Sequence, residues 1–420
     1  MTRFVALAWL LGSLAAPALA QDPDIPFDEF RLSNGLRVIV HTDRKAPIVA
    51  IQVWYHVGSK NEVPGKTGFA HLFEHLMFNG SENHNDEWFR PLQEVGATNV
   101  NGTTDFDRTN YFETVPKSAV DLALWMESDR MGHLVGAIDQ KKLDEQRGVV
   151  QNEKRQGENA PYGKAFPTII TNLFPPGHPY SWEVIGSMED LNAASLDDVK
   201  KWFRTYYGPN NATLVLAGDI DLATAKEKVE RYFGDVPPGP PLTRRERSIP
   251  PNVPATRITM QDRVPEARIY KVWFGPEWIS DDSTYLQLAD YALTSGKTSR
   301  LYKTLVYERR IATDVSAYQH SREMSGLFQV ACTAAAGVEL KDLHRVVLDA
   351  IAEMAVGGPT AAELERGVVR QEFELRALQD VVVDARRRDA DRALDGWHGY
   401  FLLNELLRDR ALGSLDSMRW

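Results

Sequence analysis

Two histidines four residues apart, His71 and His75, enclose a glutamate, Glu74, in the segment GFAHLFEHLMFNG. On an α-helix, positions i and i+4 lie one turn apart on the same face, so both imidazoles can converge on one ion. Zinc takes nitrogen ligands of this kind, completed by a carboxylate or thiolate. Glu74 is adjacent to His75, where it can lie near an ion without binding it and can accept a proton from attacking water. The order H-x-x-E-H is the inverted form of the H-E-x-x-H zinc motif. Leu72, Phe73, Leu76, Met77 and Phe78 surround these residues with apolar side chains. Partly buried imidazoles in such company need a polar partner or an ion. The competing reading is an amphipathic helix whose histidines satisfy local hydrogen bonds.

A catalytic zinc needs a third protein ligand and an open position. The segment LDEQRGVVQNEKRQGENAPYG offers Glu145, Glu153 and Glu158. If it is helical, Leu143, Gln146, Val150 and Glu153 share one face by steps of three and four. Leu143 and Val150 mark that face as buried. A carboxylate there is costly unless paired or bound to metal, which favours Glu153.

The elements that must position these residues read as follows. RLSNGLRVIVHTD is a hairpin signal around Asn34-Gly35, and IVAIQVWYHVGS is a long strand. TNVNGTTDFDRTNYFETVP reads as a strand pair. SAVDLALWMESDRMGHL and DQKKLDEQRGVVQNEKRQG have helical periodicity. SLDDVKKWFRTYY is a helix capped by Ser195, and NATLVLAGDI is a buried strand. The stretch DVPPGPPLTRRERSIPPNVPATR then holds seven prolines. Such density enters neither helix nor central strand and marks an extended, stiff linker. After it the pattern restarts: ARIYKVWFGPEW echoes VAIQVWYHVGS, and STYLQLADYALTSG takes the place of the histidine helix without a histidine. The expected domains are 21–236, carrying the metal site, a linker at 237–255, and an inactive copy at 256–420. The tail from about residue 385 supplies no closing strand, so the second domain is expected to be incomplete at its C-terminus.

The chain has 420 residues, 43% hydrophobic and 25% charged, which suits two or three globular domains. With 58 acidic against 48 basic residues the net charge is -10, which argues against a nucleic-acid partner. Residues 1–20, MTRFVALAWLLGSLAAPALA, combine Arg3, an apolar run and Ala18-Leu19-Ala20, the pattern of a cleaved secretory signal. No other segment has 18 consecutive apolar residues, so no membrane anchor is expected. The single cysteine, Cys332, forms no intrachain disulfide and reads as a buried small hydrophobe. An exported, cysteine-poor chain points to a bacterial periplasm.

The set His71-Leu-Phe-Glu74-His75, its flanks EVPGKTG and FNGS, the later NVNGTTDFDRTNYFETV, and Glu153 in QRGVVQNE resembles the insulinase/pitrilysin/mitochondrial processing peptidase family of zinc peptidases, over about residues 28 to 375. The resemblance implies an α+β fold of two homologous domains, each a mixed β-sheet with helices packed on one face, enclosing a chamber for extended peptides. It implies one Zn²⁺ per chain held by His71, His75 and Glu153, with Glu74 as general base. Asn101 and Gly102 correspond to the edge strand to which peptides add. The activity implied is zinc-dependent endopeptidase or oligopeptidase cleavage of unstructured peptides. Two positions depart from the family pattern. Gln146 stands where many relatives carry a glutamate that supports the third ligand. Val306 and Thr313 stand where relatives carry an arginine and a tyrosine that hold substrate, while Arg300, Tyr307 and Arg309 are out of register. The alternative implied is therefore a non-catalytic or partner-dependent subunit, with a homologous partner supplying the Arg/Tyr pair.

Overall fold

The structure is a computed structural model that describes residues 26–380, apart from 245, 251–254 and 279. The expected signal segment and the tail beyond residue 380 lie outside the described residues. Among the described residues no helix is long and apolar enough to cross a membrane.

The first half is built on a six-stranded sheet. Its strands are β1 (Asp28–Arg31), β2 (Arg37–Thr42), β3 (Ile48–Tyr55), β4 (Thr98–Thr104), β5 (Thr109–Pro116) and β6 (Ala212–Gly218), in the order β1-β2-β6-β3-β5-β4. All neighbours are antiparallel except β2 and β6, which makes the sheet mixed. Its helices are α1 (Phe69–Leu76), α2 (Phe89–Glu94), α3 (Val120–Gly132), α4 (Gln140–Asn159), α5 (Ala165–Leu173), α6 (Met188–Ala193), α7 (Leu196–Tyr206) and α8 (Leu222–Phe233). The β1–β2 turn uses Gly35 at φ +92°, a left-handed conformation that glycine adopts without strain. Its neighbour Asn34 is buried, and its amide donates to Phe233 O and Val236 O, pinning the turn to the end of α8.

The core of this half joins the inward side chains of β3, among them Val49, Ile51, Val53 and Tyr55, to α1, α3, α7 and α8. Helix α7 starts where Ser195 Oγ accepts the Asp198 N–H at 3.2 Å. It lays Phe203 and Tyr207 against Phe73 of α1, with ring centroids 5.8 and 4.4 Å apart. Burying a phenylalanine of this kind stabilises by roughly 2 to 3 kcal/mol, so α1 is held on its apolar side by packing.

The second half contains β7 (Arg268–Gly275), α9 (Asp281–Thr294), β8 (Ala312–His320), β9 (Gly326–Ala334), α10 (Leu340–Gly357) and α11 (Ala361–Asp380). The strand order β7-β9-β8 repeats the order β3-β5-β4, with antiparallel pairing throughout. Helix α9 follows β7 as α1 follows β3 and has no histidine. A π-helical turn, Tyr302–Glu308, precedes β8. Cys332 is fully buried in β9. Among the described residues, no strand takes the place beside β7 that β6 takes beside β3.

Between the halves, residues 235–267 hold no helix or strand among those described, as their proline content requires. The halves are fastened by the β8–β9 loop. Glu323 pairs with His56 and with Lys60 of the first half. Its N–H donates to Asp107 Oδ2 at 3.0 Å, and Met324 N–H donates to the Tyr180 hydroxyl oxygen at 3.2 Å. Met324 is buried among Phe106, Ile170, Phe174 and Tyr180. The Arg322 guanidinium lies 3.6 Å from the centre of the Phe106 ring.

Candidate metal centre

Helix α1 begins at Gly68, at φ +87°. A β-carbon there would lie 2.6 Å from Ile185 O, so the chain can enter the helix only on glycine. From that start, His71 and His75 emerge on one face, with ring centroids 4.8 Å apart. Helix α4 runs past them, anchored by the buried Leu143 and Val150. It carries Glu153 on the same stripe, where Oε2 lies 3.7 Å from His71 Nε2 and 3.4 Å from His75 Nε2. The three potential ligand atoms lie within 4.8 Å of one another.

The chemistry of this cluster suits a divalent cation. Burial, and then the neighbouring His75, push the His71 pKa down to about 4, so its ring is neutral near pH 7 and offers a lone pair. His71 Nδ1 is buried without a hydrogen-bond partner, so the polarity of the ring is answered only on the Nε2 side. Two imidazole nitrogens and one carboxylate are donors of the kind that catalytic zinc sites use.

Glu74 lies beside the cluster and is 7% exposed. Burial raises its pKa to about 7, against the Thr104 hydrogen bond and the Arg108 charge, which lower it. The Thr104 hydroxyl donates to Glu74 Oε2 at 2.5 Å. A carboxyl group that exchanges its proton near neutrality is suited to general acid–base work.

The remaining sequence-selected residues are placed as follows. Asn101 is exposed on β4, the outer strand of the sheet, and its Oδ1 accepts the Gly102 N–H at 2.9 Å. Gly102 is buried, and a β-carbon there would lie 2.9 Å from both Phe78 and Tyr111. Gln146 is half-buried on the α4 face that carries Glu153. Glu145 is exposed, and Glu158 pairs with Lys154, so neither joins the cluster. In the second half, Arg300 is bound to both Glu363 carboxylate oxygens and to Gly358 O, while Tyr307 is 74% exposed and Arg309 is exposed. Thr104, Arg108 and Glu62 were not singled out by their sequence alone. An acid shortly before a helix with no capping side chain was the available signal for Glu62.

A family model described as Insulinase (Peptidase family M16) matches residues 37–174, and one described as Peptidase M16 inactive domain matches residues 193–368. The chain belongs to the insulinase family. Its M16 relatives include the zinc protease PqqE of Helicobacter pylori, 27% identical over 377 residues, covering 87% of this chain and 83% of that protein. An uncharacterized zinc protease of Bacillus subtilis, YmxG, is 24% identical over 382 residues, covering 90% and 91%. The crystal structure of a protease from Helicobacter pylori shares the fold, with a TM-score of 0.80 at 24% identity over 94% of this chain and 95% of that one. The inactive-domain match begins at residue 193, within the first half, and runs on through α9, the counterpart of α1 that has no histidine.

Proposed function

We propose that this M16 chain is a zinc-dependent endopeptidase or oligopeptidase acting on extended peptides. The observation that carries the reading is the convergence of His71, His75 and Glu153, with the buried Glu74 beside them. His71, His75 and Glu153 would hold one zinc ion per chain. Bound there, the ion would supply Lewis-acid polarisation of the scissile carbonyl and lower the pKa of water. Glu74 takes the proton of the attacking water and passes it to the leaving amine. The Thr104 hydroxyl, which donates to Glu74 Oε2, holds that carboxyl group in place. The free edge of β4 at Asn101 and Gly102 accepts the peptide as an added strand, which reads shape more than sequence. The catalytic unit is 21–236, joined by 237–255 to an inactive copy, and the signal-like start of the sequence favours an exported, periplasmic enzyme.

A second reading is favoured by the second half: Arg300 is committed to Glu363, and Tyr307 is 74% exposed. In that reading a homologous partner subunit supplies an arginine and a tyrosine. A quenched-peptide assay separates the two. Chelator-sensitive cleavage by the purified chain supports the first. Cleavage only after a homologous subunit is added supports the second, and cleavage unaffected by chelator sinks both.

A further inference from the structure

Glu62 carries an acid into the protein interior, at 2% exposure, six residues before α1 begins to turn. It follows the 3-10 turn Ser59–Asn61 that connects β3 to the helix. Its Oε1 accepts the Ala70 N–H at 2.9 Å. Its Oε2 accepts the Gly68 N–H at 3.1 Å and the Trp182 indole N–H at 3.0 Å. Burial outweighs the pull of these three donors and, with the nearby Asp190 charge, holds its pKa well above the usual carboxylate range. All the contacts run into the carboxylate, so it acts here as an acceptor.

Helix α1 needs such a group. A helix leaves its first N–H groups without partners inside the helix. The residue at the start of α1 is Gly68, which has no side chain to cap them, and the first turn contains no acid. An eight-residue helix is also far too short to persist alone. Glu62 supplies from outside what the helix lacks, and Ala70, one of the groups it holds, immediately precedes His71. The turn that carries Glu62 is itself fixed: Ser59 N–H donates to Asp105 O at 3.2 Å and Lys60 N–H to Phe106 O at 2.9 Å. Those two acceptors directly follow Thr104, which holds Glu74. The end of β4 and the connection that follows it thus hold Glu74 from one side and the turn leading to the histidine helix from the other.

We propose that Glu62 is a positioning residue for the imidazole pair: its buried carboxylate fixes the first turn of α1, so that His71 and His75 already converge before an ion arrives. This rests on the metal reading of the site, and its test keeps the two apart. The full chain is compared with Glu62→Ala and Glu62→Gln, and with Asp190→Ala, which instead releases the preceding Thr67. Zinc affinity is measured by competition with a chelator, hydrogen exchange of the α1 amides is followed in metal-free protein, and kcat and KM are read separately.

In Glu62→Ala, zinc affinity falls about 10- to 100-fold, the range for removing groups that orient metal ligands. Amides 68–72 exchange faster, and kcat falls with KM unchanged, because β4 is untouched. Glu62→Gln retains one amide oxygen as acceptor and recovers part of the loss; it also carries the test if the alanine variant does not fold. Asp190→Ala leaves zinc affinity within about twofold of wild type. Folded Glu62 variants that bind zinc as tightly as wild type, with α1 exchange unchanged, overturn the proposal. A wild-type chain that binds no zinc overturns the metal reading instead, while α1 exchange still reports whether Glu62 holds the helix.

Discussion

Thr104 donates its hydroxyl to Glu74 Oε2 at 2.5 Å, so the end of β4 and the histidine helix share a hydrogen bond at the centre of the site. The bond fixes one oxygen of a buried carboxyl group. Thr104→Val keeps the shape and removes the donor. We expect kcat to fall about tenfold with zinc content unchanged, the scale of one lost positioning contact of about 1.4 kcal/mol. A variant with wild-type kcat assigns Thr104 to folding alone.

Glu74 itself lies outside the ligand triangle, because Glu153 fills the third corner. Glu74→Gln therefore retains stoichiometric zinc and loses at least about a hundredfold to ten-thousandfold in kcat, the range for general acid–base catalysis. Metal analysis and peptide turnover on the same sample check this. An active Glu74→Gln protein removes Glu74 from the mechanism.

His71→Ala and Glu153→Ala act differently. Each deletes one of three converging groups, so each should leave the protein with background zinc after dialysis and no chelator-sensitive turnover. Both should keep the wild-type far-UV spectrum, because Glu153 is 42% exposed at its side chain and His71 18%. Retained zinc in either variant breaks the ligand assignment.

Acid should loosen the fastening between the halves. Burial of Glu323 raises its pKa, but the His56 hydrogen bond and the Lys60 charge outweigh that effect and hold it at about 2, against an ordinary 4.5. The folded state thus binds the proton less readily than the unfolded state. The stabilisation is complete above about pH 4.5 and disappears as pH falls toward 2, and it amounts to about 3 kcal/mol. Urea unfolding at pH 5 and pH 3 should show the loss, and Glu323→Gln should remove part of the difference, the rest coming from carboxylates such as Glu363, which its Arg300 hydrogen bond also holds at about 2. An unchanged pH dependence in the variant excludes Glu323 as its source.

Gly68 offers a backbone test. Its φ of +87° and the 2.6 Å approach of a β-carbon to Ile185 O leave no room for alanine. Gly68→Ala should lower stability by more than about 1 kcal/mol, the cost of the left-handed conformation alone. Thermal melts of both forms, at matched zinc, measure it.

Much of this could be read from the chain because the signals are local. The i, i+4 histidines and the Leu143-Val150-Glu153 stripe are helix periodicity, and Asn34-Gly35 is turn chemistry. The repeat of β3 in β7 came from matching apolar runs. Other contacts were not readable because they join residues far apart. Glu323 meets His56 and Lys60 across more than 260 positions. The role of Glu62 is equally hidden, since two of its partners are backbone N–H groups that any sequence supplies and the third, the Trp182 indole, is 120 residues away. The π-helical turn at Tyr302–Glu308 likewise has no pattern that separates it from an ordinary helix.

The place beside β7 has a consequence for handling the protein. In the first half, β6 covers the matching edge of β3 along its length, from Val49↔Gly218 to Tyr55↔Ala212. Along β7, among the described residues, the corresponding row of N–H and C=O groups has no strand to answer it. The stretch leading into β7 also leaves Ile258 and Met260 each 46% exposed. An unanswered strand edge is a template for strands of neighbouring molecules. Light scattering that grows steeply with protein concentration, and yields from cells that fall as expression rises, are the signs to look for, and β7 is where both would begin.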